Sequence, residues 1–208
     1  MVIGLGRFGV SLASELTANG VEVLGVDSDA KVVRDQAPRL TEAVIADATD
    51  PEALAQLGLE DVEHAVLAVG THLEASILTA SNLIEAGVSD VWAKANSEAH
   101  GRILKQLGVH HVVHPERDTG RRVAHLLGGQ FREFAEIAPG YSVTSMSAPK
   151  GLCDRPLSGT IWRDKGVQVI AVRGSNGDFC PVEEGMVLAP SDIVIAGGSP
   201  KALEALTR

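Results

Sequence analysis

A chain of 208 residues, 45 % hydrophobic but only 3 % aromatic, has room for one large or two small domains, and its Val, Ile, Leu and Ala suit a parallel sheet covered by helices. The formal net charge of -9 excludes broad, charge-driven nucleic-acid binding and leaves only a local basic site for phosphates. No apolar stretch approaches the ~18 residues of a membrane span, and Cys153 and Cys180, without CxxC spacing, read as reduced thiols of a reducing cytosol.

The first element is "MVI", followed at once by Gly4. A first strand normally needs ~5 residues, so the chain is expected to be trimmed or to continue from an upstream segment. The apolar run is too short for a signal peptide. Gly4, Gly6 and Gly9 then form G-x-G-x-x-G ahead of a helix from about Phe8 to Asn19. Gly4 permits a tight turn, Gly6 lets the backbone approach a pyrophosphate, and Gly9 lets helix pack on strand. The helix points its positive end at the phosphates. Arg7, inside the loop, is either a solvated side chain or a cation beside the terminal phosphates.

The next strand, "VEVLGVD", ends at Asp27, with Ser28 beside it. A carboxylate at that position meets ribose hydroxyls and repels a 2′-phosphate, which disfavours NADP relative to NAD, ATP or ADP. The following strands, "EAVIADAT", "HAVLAVG", "DVWAKAN" and "HHVVHP", alternate with helices. Asp50 caps the first of these helices, with Pro51 at its start and Gly58 as its stop. "LEASILTASNLIEAG" puts Ile77, Ala80, Ser81 and Ile84 on one face and ends at Gly87. Ser97 caps the next, which stops at Gly108. This rhythm predicts an α/β, Rossmann-like, doubly wound parallel sheet.

Strand ends in such a sheet form the ligand crevice. Asp47, Ala48 and Thr49, Ala68 at the start of "AVGTH", and Lys94 in "KAN" therefore stand there. Asp47 and Thr49 either meet the adenine or ribose side or serve as ordinary caps. Lys94 lies near phosphate, near an interface, or as a surface charge. In "VHHVVHPE", His110 and His114 share one strand parity and His111 has the other, which does not make a three-ligand zinc site. Glu116, past the strand end, suits a hard cation beside phosphates. Arg7 and Glu116 are expected at opposite ends of the crevice.

After "TGRRVAHLLGG" the rhythm changes. "FREFAEIAPGYSVTSMSAP" is partly alternating, then come "VQVIAVRG", a turn "SNGD", "DIVIAGGS" and a final helix "PKALEAL". These predict a second, small α+β domain of roughly 70 residues. The domains are expected at 1–130 and 138–208, with the boundary near residues 130–140.

The segments "VIGLGRFG", "VLGVD", "VIADATD", "WAKA" and "VVHPERDTG" resemble the nucleotide-binding RCK or KTN (TrkA-N) domains of Trk/Ktr-type potassium uptake systems, over about residues 1–130. From about residue 135, "LCDRPLSGTIWRDKGVQVIAVRG" and "LAPSDIVIAGG" more loosely resemble the companion C-terminal (TrkA-C) domain. The resemblance implies a regulatory subunit, cytoplasmic and peripheral to the inner face of the membrane. It implies dimers that assemble into octameric rings and gate a membrane-embedded K⁺ channel or transporter subunit, in some systems Na⁺-coupled. ATP and ADP would favour different ring shapes, and NAD(H) binds in some members. Gly4, Gly6, Arg7 and Asp27 would hold the nucleotide, with Arg7 reaching the terminal phosphate. Asp47, Ala48 and Thr49 would line the adenosine side. Glu116 would help bind a divalent cation or Na⁺. Several relatives bind cyclic di-AMP in the C-terminal domain, but "RDKG" lacks the aromatic residue often found before that glycine.

The competing class is an NAD-dependent oxidoreductase, which needs a proton-transferring group near the nicotinamide. The single tyrosine, Tyr141, lies in the irregular region and has no Tyr-x-x-x-Lys partner. No G-x-x-x-x-G-K-[ST] is present for an ATP-hydrolysing enzyme.

Overall fold

The computed structural model describes residues 1–70, 72–128, 131–154, 156–157, 166–174 and 177–206. The chain divides into two compact units, Met1–Glu116 and Arg117–Arg208.

In the first unit, β1 (Val2–Ile3), β2 (Leu24–Asp27), β3 (Glu42–Ile45), β4 (His64–Leu67), β5 (Asp90–Lys94) and β6 (His111–Val113) form one sheet in the order β3-β2-β1-β4-β5-β6. Every pairing is parallel. The helices α1 (Arg7–Ala18), α2 (Ala30–Gln36), α3 (Pro51–Ala55), α4 (Leu73–Glu85) and α5 (Glu98–Gln106) supply the crossovers. The order reverses between β1 and β4, which opens a crevice at their carboxyl ends, the place where such sheets take ligands. The core is aliphatic, with Val26, Leu54, Leu67, Leu83, Val91 and Leu104 fully buried.

Helix ends follow local chemistry. The Asp29 side chain accepts from the Lys31 and Val32 N–H groups, Asp50 from Glu52, and Ser97 from His100. Caps of this kind contribute about 1 kcal/mol each. The buried face of α4 differs from the expected one. Ser76, Thr79, Ala80 and Leu83 face inward, while Ile77, Ser81 and Ile84 are only half-buried. Small polar side chains fit where α4 presses on the sheet, so the apolar pattern alone misplaced the face.

The histidines of "VHHVVHPE" disperse. His110 lies outside β6 and its Nδ1 accepts the Val91 N–H (3.0 Å). The His111 ring stacks on Trp92 at 4.0 Å and its Nε2 meets Asp90 (3.2 Å). His64 Nδ1 and Trp92 Nε1 also bond to Asp90, at 2.8 and 2.9 Å. These N–H groups hold the Asp90 carboxyl below its ordinary range, the Trp92 bond most strongly. The arrangement ties together the starts of β4, β5 and β6.

The helix α6 (Pro115–Leu127) follows β6. The second unit has an antiparallel sheet of β7 (Glu133–Ala138), β8 (Tyr141–Ser147), β9 (Val167–Arg173), β10 (Phe179–Pro181) and β11 (Ile193–Gly198), in the order β10-β9-β11-β8-β7. The "FREFAEIAPGYSVTSMSAP" stretch is thus a hairpin, turned at Gly140 with φ +79°. Its pattern is blurred because Ser142 and Thr144 point inward with Met146. The buried core of this unit includes Phe134, Met146, Leu188, Val194 and Leu203, the last on α7 (Pro200–Ala205). Arg163, Asp164 and Lys165 of "RDKG", and Ser175 and Asn176 of "SNGD", lie outside the described residues. Among the described residues, no helix is long and apolar enough to cross a membrane.

Candidate functional site

The three glycines differ in what holds them. Gly4 has φ +91°, and a Cβ there would meet the Val69 side chain at 2.9 Å and its backbone nitrogen at 3.0 Å. Gly9 lies against the loop itself: a Cβ would sit 1.9 Å from the Gly4 carbonyl oxygen and 3.1 Å from the Ala68 Cβ. Ala68 is buried and its N–H donates to Ile3 O at 2.7 Å, so it backs Gly9. Gly6 meets neither constraint. Its φ of -73° and ψ of -171° are extended backbone open to any residue, and nothing lies within 4 Å of a Cβ there. No side chain caps α1, whose 12 residues begin directly after Gly6. A bare backbone beside an uncapped helix start fits a phosphate group, because N–H donors and the helix dipole both favour an anion there.

Asp27 is at the end of β2. Its Oδ2 accepts the Leu5 N–H at 2.7 Å and its Oδ1 accepts the Asp29 N–H at 2.9 Å. Each carboxylate oxygen keeps a second acceptor position, so Asp27 can hold the glycine loop and still accept from a ribose hydroxyl. Leu5 is buried. Removing the carboxylate orphans its N–H, which costs about 1–3 kcal/mol. Asp27→Ala is therefore expected to lower stability by that amount in urea denaturation without any nucleotide; an unchanged midpoint refutes the holding role. Ser28, next in the chain, is exposed.

Asp47, Ala48 and Thr49 form a tight turn after β3. Asp47 Oδ1 accepts both the Thr49 N–H (3.0 Å) and its hydroxyl (2.7 Å), which hold the Asp47 carboxyl below its ordinary range, the hydroxyl most strongly. The Asn82 side chain on α4 donates to the carbonyls of Ala48 (3.2 Å) and Thr49 (3.1 Å). Asn82 drew no notice in the sequence, since a lone Asn in a helical pattern carries no signal of a contact so distant in the chain.

A charged group occupies the other side. Lys94, largely buried at the end of β5, donates from Nζ to Glu116 Oε1 at 2.6 Å. Lys94 Nζ also lies 5.8 Å from the centre of the Phe8 ring, on the first turn of α1. The Glu116 carboxyl is held below its ordinary range by the Lys94 bond first, and the charge of Arg7 adds to this. Arg7 and Glu116 are thus not at opposite ends of the crevice. Phe8 bridges from α1 to Lys94 and Lys94 to Glu116, which brings the Arg7 and Glu116 charges within reach of each other. Arg7 itself is exposed. Among the described residues, no group of three or more His, Cys, Asp or Glu could hold a metal ion.

Nearby, His100 Nδ1 accepts the Asn96 N–H at 3.3 Å, which leaves the ring proton on Nε2. That nitrogen is buried without a partner among the described residues. Burial, then the neighbouring His114, keep His100 below the usual histidine range.

The TrkA-N domain family matches residues 1–115. The "Ktr system potassium uptake protein C" of Bacillus subtilis (strain 168) is 36% identical over 201 residues, covering 95% of this chain and 90% of that protein. The "Ktr system potassium uptake protein A" of Vibrio alginolyticus is 34% identical over 199 residues, again 95% and 90%. Among solved structures, "GsuK channel bound to NAD" aligns with 99% of this chain at a TM-score of 0.67 and 15% identity. This chain spans 38% of that one. "Crystal structure of the GsuK bound to ADP" aligns with 58% of this chain and 34% or less of its own, 32%, at a TM-score of 0.52 and 16% identity. At such identities the likeness to these structures is one of fold.

Proposed function

This chain belongs to the TrkA-N domain family, and we propose that it is a nucleotide-sensing gating subunit of a potassium or sodium-coupled potassium uptake system. It would act on the inner face of the membrane, beneath a separate membrane-embedded subunit. The observation that carries the reading is the open space over Gly6 at the uncapped start of α1, with Asp27 on one side and Lys94 on the other. The similarity to Ktr potassium uptake proteins over nearly the whole chain supports the biological setting.

In this reading an adenine nucleotide lies with its phosphates over Gly4, Gly6, Phe8 and Gly9, its ribose at Asp27 and Ser28, and its base toward Asp47, Ala48 and Thr49. ATP and ADP are the favoured ligands, and NAD(H) fits the same fold. Arg7 and Lys94 face the terminal phosphates. A divalent cation or Na⁺ would bind between those phosphates and Glu116, drawing its other ligands from the phosphates. The chain senses rather than reacts: Asp27 is engaged by Leu5, Asp47 by Thr49 and Glu116 by Lys94, so the crevice acids serve binding and shape. ATP and ADP differ in charge, and only their unequal affinity for two packings of the assembly can move a gate.

The assembly is a homo-oligomer, dimers joined into an octameric ring. A groove of ≈ 1110 Å³ on the first unit is lined by Phe8, Leu12, Leu16, Val66, Trp92 and Val113, and we take a second copy of the chain as its cover. Phe8 belongs to both the groove and the Lys94 site, which joins subunit packing to nucleotide occupancy.

Thermal-shift titration with ATP, ADP, NAD and NADH tests the reading. Saturable stabilisation by ATP and ADP supports it; stabilisation by NADH alone, with turnover of NADH, replaces it with an oxidoreductase. Arg7→Ala is expected to weaken ATP about tenfold, the scale of one charged hydrogen bond, and AMP hardly at all. Equal losses in calorimetry would remove Arg7 from the terminal phosphate.

A further inference from the structure

We propose that Asn82, on α4, is the positioning residue that sets adenine preference, an inference that rests on the nucleotide reading above. The turn Asp47–Thr49 is held from two directions. From within, Asp47 Oδ1 takes the Thr49 N–H and hydroxyl, and the Asp50 N–H donates to Asp47 O at 3.1 Å. From outside, the single Nδ2 of Asn82 donates to the Ala48 and Thr49 carbonyls at 3.2 and 3.1 Å. The second contact is long-range, made across from a helix whose buried face includes Thr79 and Leu83, so the anchor is rigid.

The consequence is chemical as well as mechanical. A turn after β3 exposes carbonyl acceptors unless something takes them. Asn82 takes two, and these carbonyls are then spent on the protein. The hydrogen-bonding edge of guanine carries N–H donors at its ring nitrogen and at its amino group, and free carbonyls would welcome both. Adenine's corresponding ring nitrogen is an acceptor, which a free carbonyl repels. By filling these acceptors, Asn82 takes away what guanine needs and keeps the turn in the shape that meets adenine. Asp47 keeps Oδ2, which makes none of these bonds, as an acceptor for the adenine amino group.

Asn82→Leu keeps the side-chain size and removes both donors. The test is calorimetry of the full chain with ADP and with GDP, alongside the melting temperature. The expected result is about tenfold weaker ADP binding, the loss of two ordinary hydrogen bonds, with GDP binding unchanged or tighter, so that the ADP:GDP ratio collapses. Equal losses for both nucleotides assign Asn82 a merely structural role and overturn the proposal. If Asn82→Leu does not fold, Asn82→Asp, which also lacks the donors, carries the same comparison. A wild-type chain that binds neither nucleotide overturns the nucleotide reading and this inference together. A wild-type chain that binds ADP, with a variant of unaltered ratio, overturns this inference alone.

Discussion

Replacing Gly6 with aspartate is expected to abolish adenine-nucleotide binding while leaving the fold as stable as before, or slightly more so. Nothing of the protein lies within 4 Å of a Cβ at Gly6, and its backbone is in the extended region that any residue adopts. Aspartate is moreover among the best residues at the position before a helix, better than glycine by a few tenths of a kcal/mol. Its carboxylate would cap the free N–H groups of α1 and set a negative charge where the phosphates belong. Stability and binding should thus move in opposite directions. Gly9→Ala reverses the pattern. Its Cβ would fall 1.9 Å from the Gly4 carbonyl oxygen, and backbone cannot swing aside as a side-chain tip can. Overpacking of this kind costs about 1–3 kcal/mol and occasionally more. Gly9→Ala should therefore melt well below wild type even without nucleotide. Urea denaturation and ADP titration of both variants decide the matter. A Gly6→Asp protein that binds ADP normally would falsify the phosphate site over α1.

The contrast explains what the sequence could and could not reveal. The glycine spacing, Asp27 and the β-α rhythm were legible because each rests on local chemistry: turns, caps and strand ends. The pattern also indicated the sheet, since β1 through β6 are short aliphatic runs parted by capped helices. The expected inward face of α4 was wrong because Ser76 and Thr79 are buried by close packing, which polarity does not announce. Asn82 and the Lys94–Glu116 pair come from contacts between distant segments. Phe8 had appeared only as a residue of the loop; its ring beside Lys94 depends on how α1 lies across the carboxyl ends of the strands. Nor could strand parity foresee that His111 would stack on Trp92 while His110 left the strand to accept the Val91 N–H. In a parallel sheet each neighbour is supplied by a crossover, and the sequence states the crossover but not the contact.

The Lys94–Glu116 pair leads to a second large effect, because the incoming phosphate and Glu116 compete for one ammonium group. Lys94 is mostly buried and bonded to Glu116 at 2.6 Å. A nucleotide phosphate reaching Lys94 would draw it away and leave the Glu116 carboxylate facing the phosphates, where a cation can bridge them. Phosphate and cation should therefore favour each other's binding, and by linkage to the same degree. Lys94→Met is expected to weaken ADP about 10- to 100-fold, the scale of a hydrogen bond to a charged group, and to weaken it less for AMP. Glu116→Gln should do the opposite in the presence of a chelator, tightening ADP a few-fold by freeing Lys94, and should abolish any gain from added Mg²⁺. The pH dependence has a definite sign. Lys94 first, and Arg7 in addition, lower the folded-state Glu116 carboxyl, so the pair is fully formed above the ordinary carboxylate range and is lost as pH falls through the depressed value. The advantage of Glu116→Gln should accordingly hold across neutral pH and vanish only in acid. ADP titrations with chelator, with Mg²⁺ and down the pH scale read all three effects. Magnesium dependence that survives in Glu116→Gln would place the cation elsewhere and dissolve the exchange.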